Sequence, residues 1–127
     1  MRTIILSALL SSALVACTAS YAAPEGDGDI VLDNRTGSDL LFLALERESS
    51  DVVDPAPSWR VAEHPDRRVE AGRTRSVEVE GYTRGDDVRL FLYRVGDPSG
   101  EAPLARVLTV TDAELRRASY RVVVDRL

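Results

Sequence analysis

Arg75-Ser76-Val77-Glu78-Val79-Glu80 and, beyond a turn, Asp87-Val88-Arg89-Leu90-Phe91-Leu92-Tyr93-Arg94-Val95 are the stretches that decide the fold. The first alternates polar and apolar residues with period two, so Val77 and Val79 face a core while Glu78 and Glu80 face water. In the second, Val88, Leu90 and Leu92 share one face, and Phe91 and Tyr93 are available to the other. Thr83-Arg84-Gly85-Asp86 between them carries turn residues, and the pair is expected to form a β-hairpin.

The same grammar extends outward. Ile30-Val31-Leu32 and Leu40-Leu41-Phe42-Leu43-Ala44-Leu45 flank Asn34-Arg35-Thr36-Gly37, whose asparagine and glycine suit the ends of a type I turn; a second hairpin is expected there. The run from Leu40 is apolar on both alternate sets, as suits either a central strand covered on both faces or a strand whose outer face is lipid-like in composition by chance. Asp97-Pro98-Ser99-Gly100 has the proline and glycine of a type I turn and leads into an extended stretch from Leu104 to Thr109. A last strand is expected over Tyr120 to Val124. Thr111 and Glu114 form a capping-box pattern that opens the single expected helical turn, near residues 112–117.

Six strands, with a seventh around Trp59 to Ala62, predict an all-β domain over residues 29–127. Its expected form is a small antiparallel β-sandwich of immunoglobulin-like or transthyretin-like build, with a small open β-barrel as the alternative. No immunoglobulin-type Cys, Trp, Cys spacing is present.

The chain has 127 residues and a formal charge of −5, and its 16 basic residues are all arginine. Every arginine run has acids beside it, as in Asp66-Arg67-Arg68-Val69-Glu70, so the clustered basic surface a nucleic-acid partner needs is missing. A GC-rich genome that favours arginine codons accounts for the use of arginine alone; the rival reading is that arginine's planar fork suits laced pairing with the many carboxylates.

Residues 1–17 begin with Arg2, continue through an apolar stretch from Ile4 to Val15 and end in small residues, the pattern of a secretory signal. The stretch is shorter than the roughly 20 residues a spanning helix needs. Leu14-Val15-Ala16-Cys17 resembles the lipobox of bacterial lipoproteins, over these four residues and the apolar stretch before them; the basic start is thin for that family, with Arg2 alone. The resemblance implies that residues 1–16 are removed as a lipoprotein signal peptide and that Cys17 is acylated and holds the chain on a membrane. Residues 17–28, rich in small and acidic residues, then form a flexible tether. Thr18, where an aspartate marks inner-membrane retention in Gram-negative lipoproteins, points to the outer membrane, facing the periplasm. The alternative is ordinary cleavage after Ala22 or Ala23, giving a soluble periplasmic or secreted chain without cysteine.

Chemistry-bearing constellations are sparse. His64 is the single histidine, set in Glu63-His64-Pro65-Asp66 without a Gly-x-Ser-x-Gly turn anywhere, and reads as a solvated loop residue. One histidine and one cysteine do not make a zinc or copper site. Asp27, Asp29, Asp51, Asp54, Asp86 and Asp87 offer oxygen ligands for calcium, but without EF-hand spacing they read as turn acids. No catalytic residue, metal or cofactor is therefore assigned, and the chain is not expected to be an enzyme.

Residues 49–60, Ser-Ser-Asp-Val-Val-Asp-Pro-Ala-Pro-Ser-Trp-Arg, form a long loop whose Pro55, Pro57, Trp59 and Arg60 are the candidate partner-binding residues. Trp59 closing one end of the core, with the prolines routing the chain, is the rival reading. The functional expectation is a non-enzymatic envelope lipoprotein, a binding, assembly or scaffolding module for another envelope protein. The alternative is an inhibitor presenting this loop to secreted proteases.

The lipobox reading predicts that the exported chain partitions into the detergent phase of a detergent–water separation and that Cys17→Ser moves it to the aqueous phase. Cleavage after Ala22 would leave both in the aqueous phase.

Overall fold

The computed structural model describes residues 28–127; the expected signal peptide, Cys17 and the tether up to residue 27 lie outside the described residues. Eight strands form two facing sheets: β1 (Asp29–Asn34), β2 (Leu40–Glu46), β3 (Ser58–Arg60), β4 (Arg68–Val69), β5 (Thr74–Glu78), β6 (Val88–Arg94), β7 (Glu101–Val110) and β8 (Arg121–Val124). One sheet has the order β5-β1-β8, the other β3-β7-β6-β2-β4. Two short helices, α1 (Arg47–Ser50) and α2 (Asp112–Arg117), complete the fold. The architecture is the expected all-β sandwich, and neither sheet closes into a barrel. All pairings are antiparallel except β1 with β8.

The main core lies between the sheets. Ile30 and Leu32 of β1, Val77 of β5 and Val122 and Val124 of β8 meet Leu40, Phe42 and Ala44 of β2 and Val88, Leu90 and Leu92 of β6, all buried, while Leu115 of α2 closes one end. Each of these side chains larger than alanine contributes about 1.5–3 kcal/mol when withdrawn from water. A second cluster sits on the opposite face of the five-stranded sheet, where Leu41, Leu45, Phe91 and Tyr93 are buried beneath residues 47–67. The apolar character of both alternate sets in β2 thus has its cause: both faces of that strand are covered.

Neither expected hairpin forms. The turn after β1 passes the chain to the other sheet, because β1 pairs with β5 and β8 while β2 pairs with β6 and β4. Asn34 makes this corner: its buried side chain donates to the Ser38 and Val69 carbonyls at 2.9 and 3.0 Å and accepts from the Thr36 N–H at 3.0 Å. The turn at residues 83–86 also forms, with the Asp86 N–H on the Thr83 carbonyl, and likewise crosses between sheets. Turn residues reverse the chain but do not choose which strand becomes the neighbour. The hairpin that exists joins β6 to β7 through the Asp97 turn, closed by the Gly100 N–H on the Asp97 carbonyl.

β7 serves both clusters by means of a β-bulge. Tyr93 opposes Leu104 and Leu92 opposes Arg106, leaving Ala105 unpaired. The face swaps there, so Ala102 and Leu104 join the outer cluster whereas Leu108 and Val110 join the main core. The Thr111–Glu114 capping box forms as read, with side-chain bonds of 3.2 and 2.9 Å.

α2 ends in a Schellman-type cap: the Tyr120 N–H reaches the Leu115 carbonyl at 2.7 Å and the Ser119 N–H the Arg116 carbonyl at 3.2 Å. Ser119 and Tyr120 therefore hold φ of 52° and 63°. A left-handed conformation costs a side-chain-bearing residue about 1–2 kcal/mol, a cost that glycine escapes. Ser119→Gly is expected to stabilise the domain by about 0.5–1 kcal/mol in urea unfolding, against a net loss if Ser119 were an ordinary helical residue.

Candidate functional site

Residues 47–67 form a strap across the outer face of the five-stranded sheet. It starts at α1, where the Glu46 carboxylate caps the helix by accepting from the Glu48 and Ser49 N–H groups at 2.7 and 2.9 Å. These backbone bonds, Glu48 first, hold the Glu46 carboxyl below its ordinary range. The strap is pinned further along its length. Arg89 donates to Asp51 at 3.0 Å, the Tyr93 hydroxyl donates to the Ala56 carbonyl at 2.8 Å, the Leu104 N–H donates to the Pro57 carbonyl at 2.9 Å, and β3 pairs with β7.

Arg89 and Tyr93 are four residues apart on β6 with Phe91 between them, a span of about 13 Å at about 3.3 Å per residue. A strap fixed at both crosses over Phe91, which is 4% exposed, and a turn closed by the Val53 N–H on the Ser50 carbonyl takes up the slack. Beyond that crossing Trp59 stacks on Tyr93, with ring centroids 4.5 Å apart and an interplanar angle of 12°, and on His64 at 4.4 Å and 27°. The Arg67 guanidinium lies 5.8 Å from the Trp59 ring. Burial pushes the Tyr93 phenol above its ordinary range.

This geometry distributes the four candidate residues unequally. Trp59 is half-buried in the stack and acts as packing. Pro55 is half-buried, Pro57 is exposed with its carbonyl bonded to β7, and Arg60 points outward beside Glu63 at 3.8 Å. His64 is not solvated as expected but half-buried against Trp59, held between two 3-10 turns at Val61–Glu63 and Pro65–Arg67.

The large apolar side chains left facing water are ones the sequence reading passed over. Val52 and Val53 on the strap are 88% and 39% exposed, and Val107 on β7 is 47% exposed. Val107 opposes Phe91, so all three lie on the outer face around the crossing point. An apolar pair held between Asp51 and Asp54 in a loop was the available signal. Beside them runs an open strand edge: β3 covers only Glu101, Ala102 and Pro103 of β7, and the Pro57 carbonyl takes Leu104, so among the described residues the side of β7 away from β6 has no strand neighbour from Ala105 to Val110.

Four of the six acids proposed as oxygen ligands have other duties. Asp51 holds Arg89, Asp86 accepts from the Thr83 N–H and hydroxyl, Asp87 accepts from the Asp112 N–H, and Asp29 accepts from Ser76; Asp27 lies outside the described residues. Among the described residues no group of three or more histidine, cysteine or acidic side chains converges to hold a metal, and no helix is long and apolar enough to cross a membrane. The chain matches no family model, no curated protein and no solved structure.

The strap geometry separates two kinds of variant. Trp59→Ala removes the stacked ring and is expected to cost about 3 kcal/mol or more in chemical unfolding. Tyr93→Phe keeps the ring and leaves the Ala56 carbonyl without its donor, at a cost of about 0.5–1.5 kcal/mol. A smaller loss for Trp59→Ala than for Tyr93→Phe would contradict the packing role.

Proposed function

We propose that this chain is a non-enzymatic envelope lipoprotein, held by acyl chains on Cys17 at the outer membrane and facing the periplasm. Its sandwich binds another envelope protein through the outer face of the five-stranded sheet. One observation carries the reading: three of the four large exposed hydrophobic side chains among the described residues, Val52, Val53 and Val107, gather on this face, next to an unpaired strand edge. An extended segment laid along β7 would gain main-chain hydrogen bonds from the edge, and the valines would set which side chains it tolerates. The strap carries Val52 and Val53 and β7 carries Val107, so their backbone is positioned before binding, which lowers the ordering cost of association.

The same strap bears on the inhibitor reading. A loop that mimics a protease substrate offers its backbone to the enzyme, and here the carbonyls of Ala56 and Pro57 are already engaged with Tyr93 and Leu104. That reading narrows to Val52-Val53-Asp54, a short exposed span between the Asp51 and Ala56 anchors.

The test is a crosslinking capture from envelope extract with the full chain as bait. Val52→Asp combined with Val53→Asp serves as the surface variant and Val123→Asp, on the other sheet, as the control. A component held by the wild type and the control and lost from the valine variant supports the reading. Equal retention by all three moves the surface elsewhere, and retention by none removes the binding role. Trp59 is unsuited to this purpose because its loss disturbs the packing.

A further inference from the structure

We propose that the partner seated on the β7 edge is a second copy of this chain, the two β7 strands pairing antiparallel about a two-fold axis at Val107. This deepens the reading of that edge as a binding surface and rests on it.

The edge lacks the devices that normally keep strands apart. Exposed edges are blunted by charges, prolines, shortness or cover, and the other edges have them. β4 has two residues. β8 has four and carries Arg121. β5 carries Arg75 and Glu78. The side of β2 left open beyond β4 is bridged by Glu80, whose N–H reaches the Ala44 carbonyl at 3.1 Å and whose carbonyl accepts from the Glu46 N–H at 3.0 Å. From Ala105 to Val110, β7 holds no proline and one charge, and that charge is turned away from the edge: Arg106 donates to the Arg126 carbonyl at 2.9 Å and lies 3.9 Å from Asp125.

The pattern of the strand is self-complementary about Val107. Antiparallel pairing centred there sets Val107 against its own copy and Ala105 against Thr109. Arg106 falls opposite Leu108, so no like charges meet. Branched pairs of this kind favour sheet pairing, and like charges directly opposite would oppose it. A two-fold axis perpendicular to the sheet keeps outer face with outer face, so the valines of both copies line one continuous surface. The short β3 then has a role: its pairing stops with Ser58 opposite Pro103 and leaves open the length that the partner's β7 fills.

Sedimentation equilibrium of the full chain in detergent should show a concentration-dependent doubling of protein mass. Val107→Arg, which sets like charges face to face at an already exposed position, should return the monomer mass with an unchanged unfolding curve. Val107→Cys in a Cys17→Ser background should give a dimer with a short thiol crosslinker, and Val123→Cys, exposed on the other sheet, should not. A monomer at every concentration overturns the proposal, and so does a dimer that survives Val107→Arg or fails to crosslink at position 107. If the chain is monomeric while the Val52 and Val53 variant still loses its captured component, the second copy is excluded and the binding surface stands.

Discussion

A sheet whose two central strands are apolar on both faces has no side to present to water. That is the condition set by β2 and β6, where Leu40, Phe42 and Ala44 alternate with Leu41, Leu43 and Leu45, and Leu90 and Leu92 alternate with Phe91 and Tyr93. Burial of apolar area is the dominant favourable term in folding, so both faces need a lid. The three-stranded sheet covers one. No second sheet is available for the other, and the strap of residues 47–67 takes its place with one aromatic stack, Val61 and a few main-chain bonds. A strap covers less area than a sheet, and Val52, Val53 and Val107 remain at its margin.

Much of this was legible from the residues because it depends on local pattern. Alternation located β5 and β6, the double-faced run marked β2 as covered on both sides, and Thr111 with Glu114 marked the start of α2. The pairing was not legible. Asn34 and Thr83-Arg84-Gly85-Asp86 are sound turn sequences, yet both turns step from one sheet to the other; that outcome depends on contacts remote in the chain, such as Asn34 with the Val69 carbonyl, 35 positions away. The bulge at Ala105 was hidden as well, since Ala102, Leu104, Leu108 and Val110 read as one alternating face and in fact divide between two. At the candidate surface, Trp59 stands out in the sequence because tryptophan is prominent at interfaces. Its burial against Tyr93 and His64 needed the fold to be seen.

Electrostatics follow the same division between local and remote. Arg68 and Asp39 join the edge strand β4 to the turn before β2, and the Ala71 N–H bond on Asp39, followed by the Arg68 bond, holds that carboxyl below its ordinary range. Such a group supports the fold above the ordinary carboxylate range and loses that support as the pH falls. Arg84 lies 3.5 Å over the Tyr120 ring and donates to the Asp29 carbonyl at 3.2 Å, which ties a turn, the α2 cap and the start of β1 together. The exclusive use of arginine thus has a structural counterpart in links between distant segments.

The parallel contact of β1 with β8 has a consequence in time. β1 is the middle strand of its sheet, and one of its two neighbours is the last strand of the chain; the ion pair Asp33–Arg121 across that seam spans 88 positions. Contacts of such sequence separation form slowly, because the entropy of closing a long loop is lost before any pairing energy is gained. While the polypeptide is still being synthesised from its N-terminus, β1 has no β8 to dock against, and the three-stranded layer stays open until residue 124 arrives. The topology postpones its own completion until nearly all of the chain has been made.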